Sequence, residues 1–273
     1  MSTIQIQLPS LDSYMSVSEN QVKDFQTNGH TITPGVLSPD EIAAYRNVIA
    51  AAAEKYNTEK RKMSDRDTYG KAFLQIMNLW RSDGLVKKFV LSKRFAKIAA
   101  ALMGVKNVRL YHDQALFKEP GGGHTPWHQD QYYWPIDTTN TITMWMPLVD
   151  ISVEMGMLTF ASGSHKKGSV MDYEISDKSE EAFERYVKEE GFEISQPQTM
   201  RAGDASWHYG FAIHSAPGNQ SSKMREVMTI IYVADGAKVT QPKNDYQVND
   251  HRTWLLGKPV GEIIDSELNP LLL

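Results

Sequence analysis

Thr125-Pro126-Trp127-His128-Gln129-Asp130-Gln131-Tyr132-Tyr133-Trp134 decides how this chain is read. His128 and Asp130 are separated by one residue. In a β-strand, side chains i and i+2 point to the same face. The spacing therefore predicts that an imidazole nitrogen and a carboxylate oxygen converge on one point. A third histidine from elsewhere in the chain would complete a 2-His-1-carboxylate set, the donor pattern of non-haem iron(II) sites with open positions. The surrounding tryptophans and tyrosines would keep such a point dry.

Composition narrows the alternatives. The chain has 273 residues and no cysteine, which leaves His, Asp and Glu as its metal donors. A net charge of −4 argues against nucleic acid as the main partner. No apolar run is long enough to span a bilayer. The start, MSTIQIQLPSLDSYMS, has neither a basic n-region nor an apolar h-region. These features predict a cytoplasmic protein without a membrane partner. The length suits one domain over 1–273, with a core at about 16–235 and a tail of loops over 238–273.

Helices come first. The segment 1–16 reads as an extended arm. Ser18 to Phe25 reads as a short helix stopped by Asn28-Gly29, and Thr31 to Thr33 as a strand. Ser38-Pro39-Asp40-Glu41 is a capping box with proline at the first helical position, followed by apolar residues at helical spacing to about Tyr56. Lys60 to Tyr69 reads as a charged surface loop. Asp83 caps another expected helix, ended by Gly104.

After Gly104 the apolar period changes to two. Asn107 to Phe117 predicts a strand with Val108, Leu110, His112, Gln114 and Leu116 on one face, the histidine and glutamine being polar exceptions. Glu119 to Gly123 is a glycine-rich loop, expected to be flexible and beside a site mouth. Further strands are expected at 141–148, 155–160, 198–200, 205–207, 212–214 and 225–234, with a charged amphipathic helix or lid-like insertion over 175–191. The pattern predicts an α+β fold in which about seven or eight strands form a closed or sandwiched antiparallel barrel.

His208 and His214 are the candidates for the third ligand. His214 is preferred because it ends an apolar run and precedes Arg225 by eleven residues. A buried-strand arginine needs an anion, either a bound carboxylate or a salt bridge to Asp204 or Glu226. Gln75, Asn78, Tyr132 and Trp134 are candidates for a substrate wall. For Gln75 and Asn78 the favoured reading is satisfied amides of a buried strand or turn.

The ordered set of motifs resembles the phytanoyl-CoA dioxygenase family of Fe(II)/2-oxoglutarate-dependent oxygenases. The resemblance rests on the residues from Trp127 to Pro135, on Trp145-Met146-Pro147-Leu148-Val149-Asp150, and on Gly156-Met157-Leu158 through Ser162-Gly163-Ser164-His165. It continues through Gly203-Asp204 and His214-Ser215-Ala216-Pro217-Gly218-Asn219 to Arg225. It implies a double-stranded β-helix, the cupin-like jelly roll, with N-terminal helices packed on it. It implies iron on His128, Asp130 and His214, and 2-oxoglutarate on Arg225, with Gln114 and Trp145 lining the cosubstrate site. His208 is expected to be supporting and His165 architectural. Related halogenases replace the carboxylate, so Asp130 favours hydroxylation or another oxidation of a small molecule, with O2 consumed and succinate and CO2 released. Two other readings are a non-catalytic jelly-roll ligand-binding protein and a cupin-like metal enzyme that does not use 2-oxoglutarate.

Overall fold

The computed structural model describes residues 7–273; the first six residues of the expected N-terminal arm lie outside them. Capping chemistry fixes the first helices. α1 (Glu19–Asn28) starts at the Ser18–Gln21 capping box and ends at Gly29, whose φ is +82°. α2 (Pro39–Tyr56) starts at the Ser38–Glu41 box. β1 (His30–Thr33) lies between them. The segment 60–69 is more than a surface loop. Arg66 is buried and ion-paired to Glu119, and α3 (Thr68–Ala72) closes the segment. β2 (Leu74–Met77), α4 (Leu79–Ser82), α5 (Gly84–Val90) and α6 (Lys93–Met103) follow. The single helix expected after Asp83 is therefore two.

The remaining strands are β3 (Val108–Phe117), β4 (Thr125–His128), β5 (Thr141–Pro147), β6 (Ile151–Ser152), β7 (Thr159–Ala161), β8 (Ile194–Ser195), β9 (Thr199–Met200), β10 (Ala205–Tyr209), β11 (His214–Ala216) and β12 (Val227–Ala234). α7 (Asp177–Glu190) lies between β7 and β8. Antiparallel pairing gives a six-stranded sheet, β1-β10-β5-β12-β3-β2, facing a four-stranded sheet, β4-β11-β7-β8, with β6-β9 as a short ribbon. This is the jelly-roll core expected from the sequence.

Alternation assigns the two faces of the large sheet. Met144, Trp207 and Ile230 join Ile49, Phe89 and Phe95 in the main core beneath the helices. Their neighbours Thr143, Trp145, His208 and Thr229 face the opposite sheet and line a cavity there. β3 corrects the single-face reading. Ile231 pairs with His112 and Tyr232 with Leu110, so Tyr111 is a bulge residue. One extra residue reverses parity beyond it. Val108 and Leu110 point to the helices, whereas His112, Gln114 and Leu116 point into the cavity. Asn269 donates its amide to the carbonyls of Leu110 and Tyr111 and satisfies the bulged backbone.

The tail is not all loop. α8 (Asp245–Thr253) packs beside the turn at Asp130–Tyr133. The final residues return to β3, where Leu272 N–H donates to Val108 O. No helix among the described residues is long and apolar enough to cross a membrane.

Candidate active site

Two short strands bring the histidines together. β11 runs antiparallel to β4 with His214 directly opposite His128, and their ring centroids are 4.1 Å apart. Each Nδ1 contacts a carbonyl two residues back: Pro126 O at 2.7 Å for His128 and Ala212 O at 2.9 Å for His214. A carbonyl only accepts, so each Nδ1 carries the proton and each Nε2 presents a lone pair. Asp130 Oδ1 lies 3.3 Å from His128 Nε2 and 3.7 Å from His214 Nε2. The three donor atoms fall within 4.8 Å of one another.

Asp130 reaches this point by a different route from the expected strand. β4 ends at His128, and Asp130 opens a 3-10 turn, Asp130–Tyr133. Its second oxygen is held from behind, by Thr143 Oγ1 at 3.0 Å and His208 Nε2 at 3.3 Å. His208 therefore supports the carboxylate, as expected. Burial works to raise the Asp130 pKa, but the close approach of His214, His128 and His208 outweighs it. The carboxyl is held well below its ordinary range. Burial, then His128 and His208, push His214 well below the ordinary imidazole value. An anionic oxygen and two imidazole lone pairs aimed at one point repel each other unless a cation joins them. This nitrogen and oxygen donor set fits a divalent first-row metal such as iron(II).

Arg225 closes one side of the same cavity. It is buried, with 1% of its surface exposed, and no acidic side chain of the described residues lies within salt-bridge distance. Both acids considered from sequence are engaged elsewhere. Glu226 receives Arg46 in a two-point contact at 2.7 and 2.8 Å. Asp204 accepts the backbone N–H groups of Gly35 and Arg201. Arg225 donates to Gly156 O at 2.5 Å and lies 5.4 Å over the Trp145 ring, and its Nε has no partner. Burial pushes its pKa down to about 9. A buried guanidinium in this state is a receptor for an external carboxylate.

The cavity measures about 630 Å³, the size of a small-molecule site. Gln114, Trp145, Gln75 and Trp134 line it, together with the metal-binding triad and Arg225. Gln75 donates to Gln114 Oε1 at 2.6 Å and accepts from Tyr69 Oη at 3.1 Å. Two of the expected wall residues do not line it. Asn78 is buried in the core, takes a left-handed backbone with φ +51°, and accepts the Trp80 indole N–H at 3.2 Å. Tyr132 is displaced because a 3-10 turn replaces the alternation of a strand, which brings Tyr133 to the cavity in its place.

The glycine-rich loop also departs from expectation. Lys118 is fully buried and donates to Gly123 O at 2.5 Å and Pro217 O at 3.1 Å, while Gly121 and Asn219 exchange further backbone bonds with the loop. The loop is pinned and lies outside the cavity lining. His165 is architectural: it stacks on Tyr209 with ring centroids 5.2 Å apart and an angle of 9° between the rings. Sequence reasoning missed Tyr69 and α8 as wall elements, and residues 174–177, at the start of the expected helix or lid-like insertion, also line the cavity. His112 carried a signal, as a polar residue in an apolar strand.

The profile of the phytanoyl-CoA dioxygenase (PhyH) family matches residues 25–227, most of the chain. The chain belongs to the phytanoyl-CoA dioxygenase family. It is thus an oxidoreductase of the Fe(II)/2-oxoglutarate-dependent type. A probable alpha-ketoglutarate-dependent hypophosphite dioxygenase of Stutzerimonas stutzeri is 23% identical over 229 residues, spanning 80% of this chain and 79% of that protein. The carbocyclase SnoK from nogalamycin biosynthesis superposes with a TM-score of 0.76 at 24% identity, covering 98% of this chain and 100% of that one. The epimerase SnoN from the same biosynthesis gives 0.75 at 25% identity, covering 93% and 98%. The triad of this family member has His128 on β4, Asp130 in the turn that follows and His214 on β11.

Proposed function

We propose that the protein hydroxylates a small molecule, with His128, Asp130 and His214 holding iron(II) and Arg225 anchoring 2-oxoglutarate. The observation that carries this reading is the pairing of a three-donor cluster with a buried arginine that has no acidic partner in the same cavity. When bound, iron(II) with 2-oxoglutarate reduces O2 and supplies the oxidant that removes a substrate hydrogen, with succinate and CO2 as coproducts.

The chain's own groups do the positioning. Thr143 and His208 occupy Asp130 Oδ2, so Oδ1 is the oxygen offered to the metal. The Pro126 and Ala212 carbonyls fix the two histidine tautomers. Arg225, which lies 5.4 Å over the Trp145 ring, receives the distal carboxylate. Trp145, Leu158 and Trp134 limit water around the reacting carbon. The presence of Asp130 leaves no position for halide, which favours oxygen insertion over halogenation. We take the chain through its tail as one functional unit, because α8 completes the cavity wall. The test is a substrate screen that follows succinate formation, with mass detection of a product heavier by one oxygen atom. Succinate without an oxygenated product would point to ring closure or epimerisation, the reactions named for SnoK and SnoN. No 2-oxoglutarate consumption with any substrate, and no iron binding, would remove the reading.

A further inference from the structure

The cavity wall beyond the triad has an uneven charge. Asp67, Glu174, Asp177 and Asp250 line it, whereas Arg225 is its only lysine or arginine among the described residues. On the reading above, the inner charges cancel: a dipositive metal and Arg225 against Asp130 and dianionic 2-oxoglutarate. The outer carboxylates then have no counterpart in the cavity.

Two of the four are engaged. Asp67 accepts the Gly70 N–H at 2.8 Å, and Asp177 accepts the Thr68 hydroxyl at 3.0 Å. The other two are available. Glu174 is half-buried, and its carboxylate has no hydrogen-bond or ion-pair partner among the described residues. Asp250 is 7% exposed; one oxygen accepts from Tyr111 Oη, and the other has no partner and belongs to a side chain that lines the cavity. His112, 2% exposed, lines the same space with neither ring nitrogen bonded to protein. Tyr69, Tyr133 and Tyr246 complete this part of the wall, with Tyr133 and Tyr246 edge to face at 5.4 Å. Tyrosine faces attract cations and repel anions.

We infer that the substrate carries a cationic nitrogen, a protonated or quaternary amine, held at the outer wall between Asp250 and Glu174 among the three tyrosines. This rests on the proposed function and names its substrate class. Burial pushes Asp250 up to about 8, so its charge awaits a partner. A bound ammonium supplies that partner, and Asp250 releases its proton to solvent as the amine enters. A phosphorus oxyanion or an acyl-CoA would instead meet the Glu174 carboxylate and find no lysine or arginine in the outer wall to pair with, which sets this pocket apart from one for hypophosphite, the substrate named for the Stutzerimonas relative.

The test is anaerobic calorimetry on the iron(II)-loaded enzyme. A first titration with 2-oxoglutarate checks the proposed function by itself. A second series, run with and without 2-oxoglutarate, uses indolyl, phenyl and decyl probes, each bearing an ammonium, a hydroxyl or a carboxylate. The ammonium member is expected to bind about tenfold tighter than its hydroxyl counterpart on at least one scaffold. The carboxylate member is expected to be the weakest on all of them. Asp250→Asn and Glu174→Gln should each cut the ammonium preference at least about threefold and leave 2-oxoglutarate affinity unchanged. The inference is overturned if no ammonium probe outbinds its hydroxyl counterpart, if carboxylates are preferred, or if both variants keep the full preference. Loss of 2-oxoglutarate binding with an intact ammonium preference would sink the proposed function and spare the substrate class.

Discussion

Arg225→Met should move two measurements in opposite directions. In the protein without cosubstrate, Arg225 is a buried charge with one carbonyl partner, Gly156 O, and an unpaired Nε. Burial takes its pKa from 12.5 to about 9, a desolvation cost of about 5 kcal/mol at ~1.36 kcal/mol per unit. Methionine removes that cost but strands the Gly156 carbonyl, which returns about 1–3 kcal/mol. The balance leaves the metal-free, cosubstrate-free variant more stable by about 2–4 kcal/mol, or several degrees in melting temperature at ~2–4 °C per kcal/mol. For 2-oxoglutarate the sign reverses. Truncating one side of a buried charged pair costs about 2–5 kcal/mol, so affinity should fall about thirtyfold or more. Thermal melts with and without 2-oxoglutarate, together with anaerobic calorimetry, read both effects. An affinity within about threefold of wild type would refute the anchor assignment. A lower melting temperature without cosubstrate would refute the claim that the guanidinium is uncompensated.

Three further outcomes follow from the same geometry. His128→Ala and Asp130→Ala should each abolish stable iron binding and turnover, read as iron content after loading and desalting; retention of stoichiometric metal by either would remove it from the ligand set. Thr143→Val deletes the 3.0 Å donor behind Asp130 and should weaken metal affinity about tenfold, the usual effect of losing a supporting contact; chelator competition measures it, and an unchanged constant would mean that His208 alone orients the carboxylate. His30→Asn tests the half-buried imidazole stacked on Phe160. Burial, then His208 and His165, lower its pKa from 6.5 to about 4. The unfolded chain therefore takes up a proton first, and wild-type stability falls as pH drops from about 6.5 to about 4. Urea unfolding across that window should show wild type losing up to about 3 kcal/mol more than the variant; parallel pH profiles would contradict it.

The local signals in the sequence were the reliable ones. His128 and Asp130 sit one residue apart, and their meeting tolerates a wrong backbone: the strand ends at His128 and a turn delivers Asp130 to the same point. The capping box at Ser38 depends on a neighbour three residues away and holds in the fold. What failed depended on distance or on a break in period. The partner of Glu226 is Arg46, 180 residues away, so the salt-bridge reading of Arg225 could be removed only in three dimensions. The bulge at Tyr111 adds one residue to a period of two, which alternation alone cannot reveal. Asn78 looked like a wall amide, yet its left-handed backbone turns it toward Trp80.

The same reasoning explains why α8 escaped notice and why it matters. A helix that covers a core advertises itself by apolar spacing, whereas DYQVNDHRT buries only Asp250 among its residues. It covers a cavity, so its inward side offers polar and aromatic groups instead of leucines. The other late-recognised wall segments, around Tyr69 and Glu174, also lie outside the barrel strands. The barrel thus carries the triad, Arg225 and the groups that orient them, while separate excursions of the chain close the rest of the cavity. The two layers meet where Tyr111, the bulge residue of β3, donates to Asp250 of α8. The bulge that turns His112 and Gln114 inward therefore also ties down the helix that faces them, so one irregularity shapes two sides of the cavity. Changes in α8 away from Asp250 should alter which molecule binds without moving the metal donors, because none of the hydrogen bonds that orient His128, Asp130 or His214 comes from that helix.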